Sequence, residues 1–440
     1  MSDYMFMLES HLSSEQNHIV AQVEAAAGPA GVQVFLSGGA MRDMLGGFPI
    51  RGLDFTLEGN PARLLKTLQR DAGATIAASH SLHQTVELHF PNLAVVEVRT
   101  AHLARYPRPA AKPQIQPASI QEDLRQRDFT INSIALSLNR SSRGLLLDPT
   151  NGLSDLERRE LRANSNYSLY DDPSRILRMF RLQTRMGFTL DPRLQSQYDN
   201  VRLAGLETKI LPKTLLAELH AMAAEPNLAL LLETLEREKL LALFSPALQS
   251  HRLNTSAFSK LEKARQSIPF GVDFRVDNFS LFCHLLTEKF DPGERAAFAR
   301  HLGMPPEEVG IWQELEDRAR KLEATLKSAR LNRASLVYKA LRAEPGELIL
   351  FLFLRSGQRL VTDRIKNFLW KYLPAAHEVR DRDLPQLSLD PSSPEYQRAR
   401  DKALFAFLDG RTRKPKVPDD AEPAATPAPA ATERRSRPLQ

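Results

Sequence analysis

The chain of 440 residues holds a single cysteine, Cys283. That excludes an internal disulfide and any cysteine-built zinc cluster, and it leaves Cys283 as a small core residue. Long apolar runs are also missing. The longest, Leu348–Leu354 in "ELILFLFLRS", is far shorter than the roughly 20 residues that cross a bilayer. It reads as a buried helix segment, and no membrane partner is expected. The opening "MSDYMFMLES" lacks a basic region followed by an apolar one, so no signal peptide is read there and a cytoplasmic protein is expected. No repeat of fixed period and no sustained heptad pattern occurs. Charge is plentiful, and the net value of +6 favours an anionic partner such as nucleic acid.

The chain changes character near residue 150. Before it, short apolar or β-branched runs alternate with turn signals: "VQVFLSGG", "LDFTLEG", "TVELHF", "LAVVEVRT", "TINSIALSL" and "GLLLDP". Helical stretches are read around 8–27 and 61–72. The pattern predicts an α+β domain with a small sheet. Beyond 150 strand signals almost vanish, and segments such as "DPSRILRMFRLQTRMG" and "LALLLETLEREKLLALF" predict helices. Residues 104–119, "ARYPRPAAKPQIQPAS", read as a proline-rich loop, either a plain connection or an active-site loop. From about Arg411 the chain mixes "RTRKPK" and "ERRSR" with "EPAATPAPAAT". That stretch is expected to be disordered, and either solubilising or touching RNA phosphates.

Four stretches carry candidate chemistry. In "FLSGGAMRD" a strand runs into Gly38 and Gly39 before a helix start, a junction that admits backbone N–H groups to a phosphate. Arg42 is placed to pair with phosphate oxygens, and Asp43 follows it. In "IRGLDFTLEG" one strand face carries Gly52, Asp54, Thr56 and Glu58. Paired carboxylates at i and i+2 of a strand can bracket two Mg²⁺ ions, but the first of those positions is Gly52. Glu58 lies roughly 13 Å along the strand from Asp54, too far to substitute. Glu97, in "LAVVEVRT", is either a further carboxylate on the same metal or an edge glutamate. "EDLRQRDFTINSIALSL" gathers Arg125, Arg127 and Asp128, a cluster suited to triphosphate or simply exposed. Finally, in "YDDPSRILRMFRLQTRMGF" Asp172 before Pro173 predicts a helix start with Asp172 as N-cap. Arg175, Arg178, Arg181 and Arg185 then form one stripe. The stripe reads as a solvated face or, with Asp172, as a reader of nucleobase edges.

The order and spacing of these motifs are more specific than any one of them. Gly38-Gly39-x-x-Arg42-Asp43, Leu53-Asp54, Arg127-Asp128-Phe-Thr-Ile-Asn132, Asp148-Pro-x-Asn-Gly152-Leu-x-Asp155-Leu156 and Asp171-Asp172-Pro-x-Arg175-x-Leu-Arg178 resemble the class II tRNA nucleotidyltransferases (CCA-adding enzymes) and the related bacterial poly(A) polymerases. The likeness runs over about residues 30–195. It implies a nucleotidyltransferase head over 1–150, a helical, nucleotide-reading neck over 151–215, a helical RNA-binding body and tail over 216–408, and a basic tail over 409–440. It also implies transfer of CMP or AMP from CTP or ATP to an RNA 3′ hydroxyl, with tRNA as the expected partner. By the same likeness Gly38, Gly39, Arg42, Asp43, Arg127 and Asp128 serve the triphosphate. Asp54, with Glu97, serves Mg²⁺ and catalysis. Asp172 and Arg175 read the base, and Arg178 and Arg181 face the nucleotide. The chain departs from the pattern at Gly52, at Gln126 (an arginine in the family), at Asp171 (a glutamate), at His102 and Ala104 (an arginine and a glutamate), and at Leu182-Gln183. With one carboxylate gone, a weakened Mg²⁺ site and a severe loss of rate are expected. The alternative is an inactive relative that binds RNA or nucleotide.

Overall fold

The computed structural model describes residues 3–80, 84–91, 95–266, 268–269, 272, 274–378 and 394–411. The chain opens with α1 (Asp3–His11) and α2 (Ser14–Ala30). The single helix expected over 8–27 is two, because Ser13 starts a new one. Its Oγ accepts the Gln16 N–H at 3.1 Å, while the Gln16 side chain accepts the Ser13 N–H at 3.0 Å. There follow β1 (Gln33–Ser37), α3 (Gly39–Leu45), β2 (Leu53–Glu58), α4 (Ala62–Asp71), β3 (Thr75–His80), β4 (Thr85–His89) and β5 (Val95–Thr100). After a hairpin of β6 (His102–Arg105) and β7 (Gln114–Pro117) come α5 (Ile120–Gln126), β8 (Ala135–Ser137) and β9 (Leu146–Leu147). One seven-stranded sheet runs in the order β3-β4-β5-β2-β1-β8-β9. Its β2–β5 pair is parallel and its other pairs antiparallel.

The alternation in β2 explains the sheet's two faces. Leu53, Phe55 and Leu57 are buried in the core, which turns Asp54 and Thr56 the other way. Glu58, at the end of the same face, accepts the Ile120 N–H at 2.5 Å and so anchors the start of α5. Two readings need correction. "TINSIALSL" is not one strand or helix but a 3₁₀ turn over Thr130–Asn132 followed by the short β8. The segment 104–119 is not a plain loop, since its ends pair as β6 and β7.

Beyond β9 the chain is almost wholly helical. The elements are α6 (Gly152–Arg158), β10 (Glu160–Leu161), α7 (Ser168–Asp171), α8 (Arg175–Met186), β11 (Thr189–Leu190), α9 (Pro192–Leu203), α10 (Pro212–Ala223), α11 (Leu228–Arg237) and further helices from Thr255–Gln266 onward. The run Leu348–Leu352 is buried within the helix Gly346–Arg355, as its composition predicts. Cys283 is a buried free thiol, and burial pushes its pKa up. Contacts divide the chain into two compact units. One takes in 1–267, 275–321 and 345–355; the other takes in 268–274, 322–344 and 356–440. In the second unit the helix Pro394–Arg411 is tied down by Asp409, which accepts the Ser335 N–H at 2.9 Å. The tail expected from 409 on therefore starts as helix, and its basic clusters beyond Arg411 lie outside the described residues. Among the described residues no helix is long and apolar enough to cross a membrane.

Candidate active site

Every residue that the resemblance assigns to the triphosphate, the metal or the base, except Asp43, lines one cleft of about 520 Å³ in the first unit. Its floor is the parallel pair β2–β5, where Asp54 and Glu97 stand directly opposite each other in register. Glu97 is thus no remote edge residue: it faces the cleft beside Asp54. Burial raises the pKa of both carboxyls. For Glu97 the Asp54 charge adds to the rise, while for Asp54 the Arg42 charge and the Gly39 N–H oppose it. Two carboxyls side by side, both shifted upward and with Glu97 open to the cleft, are an oxygen donor pair suited to a hard cation. Among the described residues no group of three or more acidic, histidine or cysteine side chains could hold a metal. The pair therefore fits one Mg²⁺ completed by substrate oxygens and water, not a metal caged by protein alone. At Gly52 a Cβ would meet nothing within 4 Å, so the missing carboxylate leaves open space rather than a rebuilt wall.

The glycine turn does something the sequence did not reveal. Gly38 sits at φ +63°, and a Cβ on Gly39 would come within 2.9 Å of Asp54 Oδ2. The glycines let the Asp54 carboxylate approach the turn closely, and the Gly39 N–H donates to it at 2.9 Å. The Gly38 N–H donates to Ile134 O at 3.3 Å. Both amides expected to meet a phosphate are thus engaged within the protein.

Beneath the turn lies a buried polar network. Arg127 donates to Asp123 at 2.9 Å, to Asn132 O at 3.1 Å, to Ser37 Oγ at 3.1 Å and to Thr56 Oγ1 at 2.8 Å. It ties α5 to both central strands. Asp128 accepts from Asn132 at 2.9 Å and from Arg178 at 2.8 Å. Burial works against its charge, but Arg178 and Arg175 outweigh burial and hold its carboxyl well below the usual range. Arg42 donates to Asp43 at 2.9 Å and to Asn132 Oδ1 at 2.7 Å. Asp43 also takes Arg185, and it is buried behind the cleft rather than lining it.

The helical side of the cleft is α8 and the turn before it. Asp172 does accept the Ser174 N–H at 3.1 Å, as a cap should, but the regular helix starts only at Arg175, after a turn over Pro173 and Ser174. Arg175 donates to Ser168 Oγ at 2.7 Å and stands 3.8 Å from Asp172. The arginine stripe is not a solvated face. Arg178 and Arg181 both reach Glu218 of α10, at 2.9 and 3.3 Å, and Arg181 also reaches Glu225 at 2.9 Å. Burial disfavours the Arg178 charge, yet Glu218 and Asp128 outweigh it and raise its pKa.

Several lining residues escaped sequence reasoning. Arg99 lies two residues after Glu97 on β5, a spacing that puts both on one strand face and was the available signal. It donates to Asp123 at 3.1 Å and lies 3.4 Å from His102. Burial, and then Arg99 itself, depress the His102 pKa. The ring is therefore neutral near pH 7, and the guanidinium of this corner comes from Arg99. Arg51 and Tyr106 also line the cleft, without any motif to mark them. Two buried guanidinium atoms of the cleft residues, Arg99 Nε and Arg181 Nε, have no hydrogen-bond partner, as expected of a site shaped for an anion.

Residues 34–162 match the Poly A polymerase head domain. The A-adding tRNA nucleotidyltransferase of Aquifex aeolicus is 28% identical over 348 residues, covering 77% of this chain and 40% of that protein. The CC-adding tRNA nucleotidyltransferase of Deinococcus radiodurans is 34% identical over 201 residues, 46% of this chain and 52% of that protein. The chain thus spans about two-fifths to half the length of these relatives. Among solved structures, a CCA-adding enzyme in an apo form superposes with a TM-score of 0.54 at 22% identity, over 94% of this chain and 97% of that one. A CCA-adding enzyme in complex with CTP gives 0.52 at 21% identity, over 94% and 96%. With these matches on the sheet, the cleft and its motifs, the chain resembles the class II tRNA nucleotidyltransferases and poly(A) polymerases, a Poly A polymerase head domain followed by helices in the fold of CCA-adding enzymes.

Proposed function

We propose that this protein is a template-independent RNA nucleotidyltransferase that adds CMP or AMP, from CTP or ATP, to RNA 3′ ends, with tRNA as substrate and the cytoplasm as its place of work. One observation carries the reading. A carboxylate pair and a base-edge pair, Asp54–Glu97 and Asp172–Arg175, face a single arginine-lined cleft. In the reaction the RNA 3′ hydroxyl gives its proton to water or to a cleft carboxylate, its oxygen bonds the α-phosphorus, the bond from that phosphorus to the bridging oxygen of the β-phosphate breaks, and pyrophosphate leaves. Arg42, Arg99, Arg178 and Arg181 draw the triphosphate into the cleft by charge. Gly38 and Gly39 keep the turn open beside Asp54, and Arg127, Asp128 and Asp43 hold the cleft's shape. Asp172 offers acceptors and Arg175 donors to the edge of the base. Asp54 and Glu97 would hold Mg²⁺, which when bound supplies positive charge against the phosphates. The helical body and tail then carry the rest of the RNA.

Gly52 favours a second reading, a binding protein that keeps the fold without the transfer. The two part in one assay with Mg²⁺, labelled CTP or ATP, and tRNA lacking its 3′ end, run beside Gly52→Asp. A Cβ at Gly52 meets nothing within 4 Å, so the substitution brings no clash at the backbone. Incorporation by the natural protein supports the transferase, with a gain of about a hundredfold or more expected in the variant. Incorporation by the variant alone makes the natural protein a binder. Incorporation by neither removes the transferase reading.

A further inference from the structure

A second cleft, of about 600 Å³, shares no lining residue with the first. Three arginines reach it from separate elements: Arg125 from the last turn of α5, Arg162 just after β10 and Arg193 in the first turn of α9. Arg125 thus parts company with Arg127 and Asp128, its neighbours in sequence. Arg125 and Arg193 are exposed, and neither side chain has a hydrogen bond or ion pair among the described residues. The one acidic lining residue, Asp191, is occupied as the cap of α9, accepting the Arg193 and Leu194 N–H groups at 3.0 and 3.3 Å.

The wall also holds three buried polar atoms without a hydrogen-bond partner: Thr150 Oγ1, Arg162 Nε and Asn164 Oδ1. Of these, Arg162 is already held by Glu160 at 2.9 Å and lies 3.8 Å from Asp191, so the free charge of the cleft comes from Arg125 and Arg193. The Asn164 amide has one sensible orientation. Its nitrogen points at Leu124 O, Arg127 O and Ser133 Oγ, at 3.1, 3.0 and 2.5 Å, and turning it over would set oxygen against two carbonyls. Its Oδ1 is therefore an acceptor that lacks a donor. A ligand that satisfies this lining brings anionic oxygens for the guanidiniums and a hydroxyl for Asn164. One unit of RNA backbone carries both, as a phosphate and a 2′-hydroxyl; DNA carries only the first. We propose that this cleft grips the ribose-phosphate backbone of RNA, as a contact distinct from the nucleotide cleft. The proposal shares with the function above only that RNA is the partner.

The test is fluorescence anisotropy on the full chain over a range of KCl concentrations. The probes are a fluorescein-labelled single-stranded RNA oligonucleotide, DNA of the same sequence, and a fluorescent ATP analogue. Replacing both exposed arginines, Arg125→Ala with Arg193→Ala, is expected to weaken RNA binding about tenfold and to lower the slope of log Kd against log salt by about one to two. ATP binding should stay within about twofold, and the natural protein should prefer RNA to DNA severalfold. RNA affinity and slope unchanged in the variant would overturn the proposal and leave the transferase reading standing. Equal RNA and DNA binding, with equal loss in the variant, would overturn it in favour of a general anion site. If the natural protein binds ATP but no RNA, both the proposal and the RNA substrate of the function above are lost.

Discussion

The two walls of the candidate cleft differ in how their charges are used. On the sheet side, Arg127 gives its donors to Asp123, Asn132, Ser37 and Thr56, while Asp54 and Glu97 face each other at a cost in charge. On the helix side, Arg178 and Arg181 are balanced by Glu218 and Glu225, and Asp172 and Arg175 keep looser, 3.8 Å contact. Each wall therefore contains residues that hold the fold and residues that face a ligand, and the motif mixes them. An intact Arg127 or Asp128 testifies to the architecture whatever the chemistry. Asp54, Glu97, Asp172, Arg175 and the gap at Gly52 are the positions that speak to function.

Substitutions separate the two groups. Arg127→Ala leaves the buried Asp123 carboxylate with only Arg99 and the His102 N–H as partners, and takes a donor from Asn132 O, Ser37 Oγ and Thr56 Oγ1. A loss of about 1–3 kcal/mol is expected, read as a lower denaturant midpoint, with nucleotide binding weakened through the loosened fold. A stability unchanged within error would return Arg127 to the ligand-facing group. Asp172→Ala should do the reverse. Losing the Ser174 cap contact costs about 1 kcal/mol, but ATP and CTP affinity should fall about tenfold as the base-edge acceptor goes. Equal binding by the variant would detach Asp172 from base reading.

How much of this was legible follows from range. The strands around Phe35 and Phe55 announce themselves as short apolar or alternating runs bounded by turn signals, and the order of the short motifs carries the head's resemblance to the nucleotidyltransferases. Asp54 and Glu97 both stand out in the sequence as candidate carboxylates, although their facing register is a property of strand pairing that no local pattern carries. The stripe from Arg175 to Arg185 was visible as spacing, yet Glu218 and Glu225 lie 40 and 44 positions from Arg178 and Arg181, and nothing local announces such partners. The glycine turn suggests a phosphate site in the sequence; its close neighbour in the structure is Asp54, 15 residues on. Arg99 was the one omission with a local signal, because i and i+2 on a strand share a face.

The subtlest contrast lies between carboxyls of opposite tendency. Asp128 is held charged, below its ordinary value of 3.8. The stability it contributes is present above that value and is lost as pH falls through the folded one. Glu97 runs the other way, raised above 4.5 by burial and by Asp54. Its ionisation opposes folding at pH values above the folded pKa, and the penalty vanishes as pH drops below 4.5. Glu97→Gln should therefore raise Tm at pH 7.5, and the gain should shrink towards zero near pH 4; Asp128→Asn should lower Tm by much the same amount at both ends of that range, because its contribution is lost only below 3.8. Thermal melts across that range decide it. A Glu97→Gln protein no more stable than the natural one at pH 7.5 would mean that the carboxylate costs the fold nothing. Glu97 would then belong with the residues that shape the cleft, and only Asp54 would remain on the sheet as a strained, ligand-facing acid.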